Sequence, residues 1–334
     1  MIFIRADANE KIGTGHVMRC LSIASAFAEK GEKVVFVTAD HRGDKLIEQS
    51  GFDIVCLESD WTNIDKEIEA LHRLISDMQP EMLIVDSYFV TEDYLRQLSS
   101  FVNTAYIDDL NQAVWDVDYL INYNIFAVEY DYSGYRQQNT CLLLGPQYAP
   151  LRKEFRNMPA HEIKDVVTNV FVSAGGSDPE KITERLMEQI CPQMSDVNFH
   201  FVVGALNPRI NEIKKLAGKN IILHINERNM SELMQTCDVG ISASGSTLYE
   251  MCAVGIPTIT YILADNQIFA AEQFEQKGIM LNAGDCRKDT RFTNRVTLYL
   301  NELCRDAGLR KSLSLKMQKL VDGNGVERIA NRLN

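Results

Sequence analysis

The 334-residue sequence contains no Cys-x-x-Cys pair, no internal repeat, no low-complexity tract and no long linker. Its longest apolar runs are strand-sized, well short of the ~20 residues of a membrane span, so insertion into a membrane is not expected. Basic residues are scarce relative to acidic ones, 34 against 46, for a net charge of −12. That balance argues against a generic phosphate-tracking surface, so no nucleic-acid partner is expected and any bound anion must be held locally. The chain opens on a strand pattern rather than on a charged, apolar, cleavable leader, and a cytoplasmic location is the expectation. Eight scattered cysteines, at 20, 56, 141, 191, 237, 252, 286 and 304, then read as reduced, buried, structural thiols. What the chain does have is apolar content, 46%, which with its length suits two domains.

Short Val-, Ile- and Leu-rich runs alternate with helical patterns. The runs "IFIRA", "KVVFVTA", "DIVCLE", "EMLIVDS", "NTAYIDD" and "DYLINYN" precede a turn-rich passage with Gly145, Pro146, Pro150 and Pro159. The alternation then restarts with "VVTNVFVSA", "NFHFVVG", "NIILHI", "DVGIS" and "PTITYI". Near-continuous apolar strands suit parallel sheets covered on both faces. The fold class expected is α/β, two doubly wound Rossmann-like domains: 1–155, 165–315, and a terminal helix over 316–334 packing back across the boundary. Ligands of such sheets bind beyond the carboxyl ends of the strands, so the site is expected in an interdomain cleft.

Four strand-to-helix turns concentrate the chemistry. In "RADANEKIGTGH", Gly13 and Gly15 begin a G-x-G, but Met18 stands where a dinucleotide fingerprint needs its third glycine. His16 opens the following helix, on a polar stripe with Arg19, Ser22, Ser25 and Glu29, and Gly13, Gly15 and Arg19 are expected among the substrate contacts. In "SASGSTLYE", Gly245 admits close approach and the amides of Ser246 and Thr247 face whatever lies at the helix start, a phosphate or, equally, a capping hydroxyl of Ser244 or Ser246. Glu250, three residues past Thr247, favours the phosphate reading, since a carboxylate there accepts both hydroxyls of a ribose; a dipole-favoured acidic residue is its plainer explanation. In "AGGSDP", the paired Gly175 and Gly176 suit close backbone approach to a pyrophosphate, while Ser177 or Asp178 with Pro179 at the first helical position makes an ordinary helix start. "LADNQ" holds Asn266.

Asp108 and Asp109 invite a metal reading, but adjacent strand-end carboxylates diverge and nothing is spaced to complete a shell, so no metal is expected. Asp7 lies near His16 in the chain and is the expected orienting partner for its ring. Tyr88 is either core aromatic or cleft wall. The other histidines, at 41, 72, 161, 200 and 224, are assigned structural or surface roles.

Together, "RADANEKIGTGHVMRCLSIA", "VDSYFV", "YIDDL", "INYN", "LLGPQYAPLRKEF", "VSAGGSDP", "SASGSTLYEMCAVGIPTI" and "DGNGVERIA" resemble, in order and over nearly the whole chain, the UDP-2,4-diacetamido-2,4,6-trideoxy-β-L-altropyranose hydrolases of pseudaminic acid biosynthesis (PseG). The resemblance implies a GT-B-like fold with UDP in the second domain. It also implies a catalytic His16, a diphosphate turn at Gly245–Thr247, a ribose carboxylate at Glu250, and polar cleft-lining residues at Tyr88 and Asn266, which with His16 and Asp7 make up the expected catalytic set. Asn9 stands where that family usually has a small hydroxyl residue, and Tyr123 where an amide is commoner.

His16 then has a chemical purpose: a neutral imidazole suits activation of water at pH 7, and a helix start disfavours imidazolium. Gly13 and Gly15 keep side chains away from the sugar. UDP leaves well when helix-start amides stabilise it, so no cofactor is required. The expected partners are a UDP-sugar and, at most, other sugar-biosynthesis enzymes. A glycosyltransferase on the same fold and a catalytically silent nucleotide-sugar-binding protein are the rival readings.

Overall fold

The computed structural model describes residues 1–137, 139–176, 178–204 and 207–333. They form two compact units, one of Met1–Arg152 joined by the segment from Asn324, the other of Lys153–Gly323.

Among the described residues, the first unit has seven strands: β1 (Ile2–Ala6), β2 (Val34–Thr38), β3 (Asp53–Cys56), β4 (Met82–Asp86), β5 (Asn103–Ile107), β6 (Tyr119–Asn122) and β7 (Cys141–Leu144). All neighbours are parallel, in the order β3-β2-β1-β4-β5-β6-β7. Helices α1 (Gly15–Glu29), α2 (Asp44–Gln49), α3 (Ile68–Met78) and α4 (Glu92–Ser99) are the crossovers. α1 buries Val17, Cys20, Leu21, Ala24 and Phe27, the three- and four-residue spacing that lays one stripe on the sheet.

One register decides what lies beside α1. β1 and β4 pair with Ala6 level with Asp86, and paired residues of parallel strands share a face. Arg5 and Asp7 therefore point the other way, toward the core of Phe3, Leu83, Val85, Leu71 and Leu95. Arg5 is fully buried there, held by Glu67 at 2.6 and 3.0 Å and by Asp7 at 2.5 Å. The hydroxyls of Tyr94 and Ser59 donate to the same Glu67, so each buried charge is paired.

The second unit repeats the topology with β8 (Asn169–Ser173), β9 (Asn198–Val203), β10 (Ile221–Ile225), β11 (Val239–Ala243), β12 (Thr258–Ile262) and β13 (Leu281–Asp285), ordered β10-β9-β8-β11-β12-β13. Its helices are α5 (Ile182–Gln189), α6 (Ile210–Leu216), α7 (Met230–Thr236), α8 (Thr247–Val254), α9 (Ile268–Gln276), α10 (Phe292–Arg305) and α11 (Ala307–Leu320). The terminal stretch expected as one helix is two: α11 belongs to the second unit, and α12 (Gly325–Leu333) packs on α1 in the first. Val326, Ile329, Ala330 and Leu333 are the buried face of α12.

A second correction concerns "AGGSDP". The helix after it starts at Ile182, not at Pro179, and Asp178 caps it from a distance by accepting from the amides of Ile182 (2.8 Å) and Thr183 (2.9 Å). Ser177 lies outside the described residues.

Candidate active site

In each sheet the strand order reverses between two neighbours, β1 and β4 in the first unit, β8 and β11 in the second. Helices leave toward opposite faces at such a point, opening a crevice at the carboxyl ends. Three of the four turns singled out in the sequence follow β1, β8 and β11, the fourth, "LADNQ", follows β12, and Tyr88 lies just past β4.

In the first unit the loop after β1 is closed by a backbone bridge between Asn9 and Gly13, and Asn9 Oδ1 accepts from the amides of Lys11 and Ile12. Gly13 sits at φ +74°, a left-handed conformation that favours glycine, and a side chain at either Gly13 or Gly15 would meet nothing within 4 Å. The loop delivers His16 to the first turn of α1, buried, with Nδ1 2.6 Å from Oδ1 of Asp86 at the end of β4.

Arg19, one turn along α1, grips the same carboxylate with both ends of its fork, Nε to Oδ2 at 2.6 Å and Nη2 to Oδ1 at 2.5 Å. Its Nη1 donates to Asp109 Oδ2 and to the Tyr123 hydroxyl, both at 2.8 Å. Burial penalises the Arg19 charge, but Asp109 and Asp86 outweigh it and raise its pKa further. Burial likewise pushes Asp86 up, and Arg19 with His16 outweighs it, holding the carboxyl well below its ordinary range. Asp86 is thus ionised and its oxygens only accept, so Nδ1 of His16 carries the hydrogen. Arg19 Nη2 lies 3.2 Å from that nitrogen, but both are donors converging on Oδ1. In the neutral ring the lone pair is left on Nε2.

Two expectations change. Asp7 does not orient His16: its carboxylate accepts from Arg5 and from the Ala39 amide at 2.8 Å, and Asp86 takes the orienting position. Arg19, expected among substrate contacts, spends its guanidinium on Asp86, Asp109 and Tyr123.

Tyr88 is exposed rather than core, its ring edge-on to His16 at 4.5 Å and its hydroxyl donating to Asp109 at 3.0 Å. Asp7, Ile12, His16, Trp61, Asp86, Ser87, Tyr88 and Phe89 surround a hollow of about 10 Å³. That is about the least space in which one water fits.

In the second unit, Ser244 is buried and spends its hydroxyl on Thr260 and the Tyr261 carbonyl, at 2.7 and 2.8 Å. Ser246, the residue before α8, makes no side-chain capping bond, so capping by either hydroxyl is not what this turn does. Gly245 and Thr247 are half-buried and Ser246 exposed, leaving the turn open at the positive end of α8. Glu250 lies half-buried in that first turn. Asn266 is exposed in the neighbouring turn Asp265–Gln267, whose Gln267 amide stands 3.8 Å from where a side chain on Gly245 would begin. Gly175 holds φ +81° after β8, and Gly204 comes so close to the backbone of Gly176 that a side chain on Gly204 would be 2.6 Å from the Gly176 carbonyl oxygen.

No protein-family profile matches the chain. The "UDP-2,4-diacetamido-2,4,6-trideoxy-beta-L-altropyranose hydrolase" of Campylobacter jejuni is 26% identical over 283 residues, 83% of this chain and 97% of that one. The chain is a distant homologue of such hydrolases. It is also 24% identical to the "Spore coat polysaccharide biosynthesis protein SpsG" of Bacillus subtilis, over 98% of this chain and 95% of that protein. A Methanocaldococcus jannaschii protein named MJ1062 and described as uncharacterized is 27% identical, over 80% of this chain; the match spans 56% of that relative's length. Among solved structures, MurG of Acinetobacter baumannii superposes with a TM-score of 0.71 at 12% identity, covering 99% of this chain and 98% of that one. The calicheamicin glycosyltransferase CalG4 gives 0.66 at 14%, covering 99% and 97%. At such identities the likeness is one of fold, two Rossmann-like domains of the GT-B glycosyltransferases. Among the described residues no helix is long and apolar enough to cross a membrane.

Proposed function

We propose that the protein hydrolyses a UDP-linked deoxy-acetamido hexose, of the diacetamido-trideoxy kind named for its relatives, to UDP and free sugar, as a step in building a nonulosonic acid. The observation that carries this reading is the His16–Asp86 contact beside a hollow fit for one water. Asp86 fixes the Nδ1–H tautomer, and Nε2 takes a proton from the water as the water's oxygen attacks the anomeric carbon. The bond from that carbon to the diphosphate oxygen breaks, and its electrons leave with UDP.

The turn at Gly245–Thr247 holds the diphosphate, and its amides stabilise the charge that grows on the leaving oxygen. Glu250 accepts the ribose hydroxyls, and Asn266 and Tyr88 contact the sugar. No metal or other cofactor enters the scheme. The protein acts in the cytoplasm, where its nucleotide substrate is made.

A glycosyltransferase reading is favoured by the fold, since MurG and CalG4 share it. The two diverge in what takes the sugar. Incubation with a panel of UDP-sugars, with and without alcohol acceptors, should release UDP and free sugar in equal amounts at a rate that acceptors leave unchanged. UDP release that requires an acceptor would favour transfer instead.

A further inference from the structure

Two loops of the first unit meet at a cluster that the hydrolysis does not use. β2 and β3 pair with Thr38 level with Cys56. His41, three residues past Thr38, and Glu58, two past Cys56, therefore leave the same end of the sheet side by side. One ligand-capable atom from each of His41, Cys56 and Glu58 lies within 4.8 Å of the others. His41 Nε2 is 2.8 Å from Glu58 Oε1, and its Nδ1 is 2.6 Å from Asp44 Oδ2.

We propose that His41 Nε2, Cys56 Sγ and the Glu58 carboxylate bind one zinc ion, with Asp44 orienting the imidazole through Nδ1 and water in the fourth position. The donor set is one imidazole, one thiolate and one carboxylate, the mixture zinc accepts in tetrahedral sites. Tetrahedral zinc ligands stand roughly 3.3–3.6 Å apart at the usual bond lengths. His41 and Glu58 are exposed and Cys56 half-buried, so small rotations about these side chains bring the three atoms to that spacing. Asp44 supplies an independent pointer, since a carboxylate on the far nitrogen of a metal-bound histidine fixes its tautomer and raises its basicity. A protonated His41 between two carboxylates accounts for Asp44 and Glu58 but gives the thiol no part. Zinc binding displaces the imidazole and thiol protons and ties the loop after β2 to the loop after β3.

The test is titration of the chelator-treated protein with cobalt(II), whose thiolate complexes absorb in the near ultraviolet, followed by displacement with zinc. One equivalent should bind with a sulfur-to-cobalt band that zinc abolishes. The band should vanish in Cys56→Ser, persist in Cys141→Ser and Cys304→Ser, the other half-buried cysteines, and need much more metal in His41→Gln. Zinc should raise the melting temperature of the native chain and leave that of Cys56→Ser unchanged. Absence of a thiolate band, or a band that survives Cys56→Ser, would overturn the site. Neither readout depends on UDP-sugar hydrolysis.

Discussion

The two switch points share a topology and differ in chemistry. After β1 and β4 the first unit gathers His16, Arg19, Asp86 and Asp109, each committed to a partner within 2.8 Å. After β8 and β11 the second unit presents glycines and hydroxyls, with an open turn at the start of α8. A group that must move a proton needs one tautomer in one orientation, and a buried, fully paired network provides that at the cost of desolvating several charges. A group that must receive and release a diphosphate needs unspent donors, and a turn without internal caps provides those.

If this contrast is right, damage to the first site strikes turnover and damage to the second strikes binding. The largest effect is expected from His16→Asn, which removes the base and should lower kcat about 10²–10⁴-fold while UDP affinity, measured by calorimetry, stays unchanged. Asp86→Asn should fall in the same range, because an amide can donate to Nδ1 and admit the wrong tautomer. It also strips Arg19 of its main partner, so a stability loss of roughly 3–5 kcal/mol by denaturant melting should accompany it, unlike His16→Asn. Because the two residues act as one unit, the double variant should be hardly slower than the slower single. Glu250→Ala should instead leave kcat near normal and weaken UDP binding by about 1.5–3 kcal/mol, with a smaller loss for 2′-deoxy-UDP. Equal losses for both nucleotides would mean that Glu250 braces its helix.

The smallest effect separates the units by acid. Burial pulls His161, in the second unit, down to about 4. A histidine whose folded pKa is depressed leaves the unfolded chain binding more protons between about 6.5 and 4, so its site loses stability as pH falls through that window. His200, beside His224 at 3.0 Å, is shifted the same way, first by burial. Asp86 has the same sense in a lower window: its folded pKa is depressed, so its contribution is complete above about pH 4 and declines only below that. Peptide-resolved hydrogen exchange at pH 7 and 4.5 should show protection falling in the second unit before the first. For the half-buried His161 the change should be about 1–2 kcal/mol, and His161→Gln should flatten it.

The strands most legible in the sequence were those that sit centrally, because residues buried on both faces leave unbroken apolar runs. β7 is four residues inside a turn-rich passage, and β13, "LNAGD", carries Gly284 at φ +86° and one fully buried residue; both are edge strands, but so are β3 and β10, which longer apolar runs made legible. His16 was legible from its place behind two glycines at a strand end. Its partner was not, because Asp86 is 70 residues away and only the level pairing of Ala6 with Asp86 sets it beside α1. Asp7, near in the chain, lies on the opposite face by strand alternation. His41, Cys56 and Glu58 escaped notice for the same reason: β2–β3 pairing unites them, and no local spacing announces it.

The central claim is that water held by His16 attacks carbon, and isotope placement tests it most directly. Hydrolysis of the UDP-sugar in ¹⁸O-labelled water, with both products read by mass spectrometry after one turnover, should place the label in the sugar, which should first appear with inverted anomeric configuration. Label in UDP would show attack at phosphorus and contradict the account.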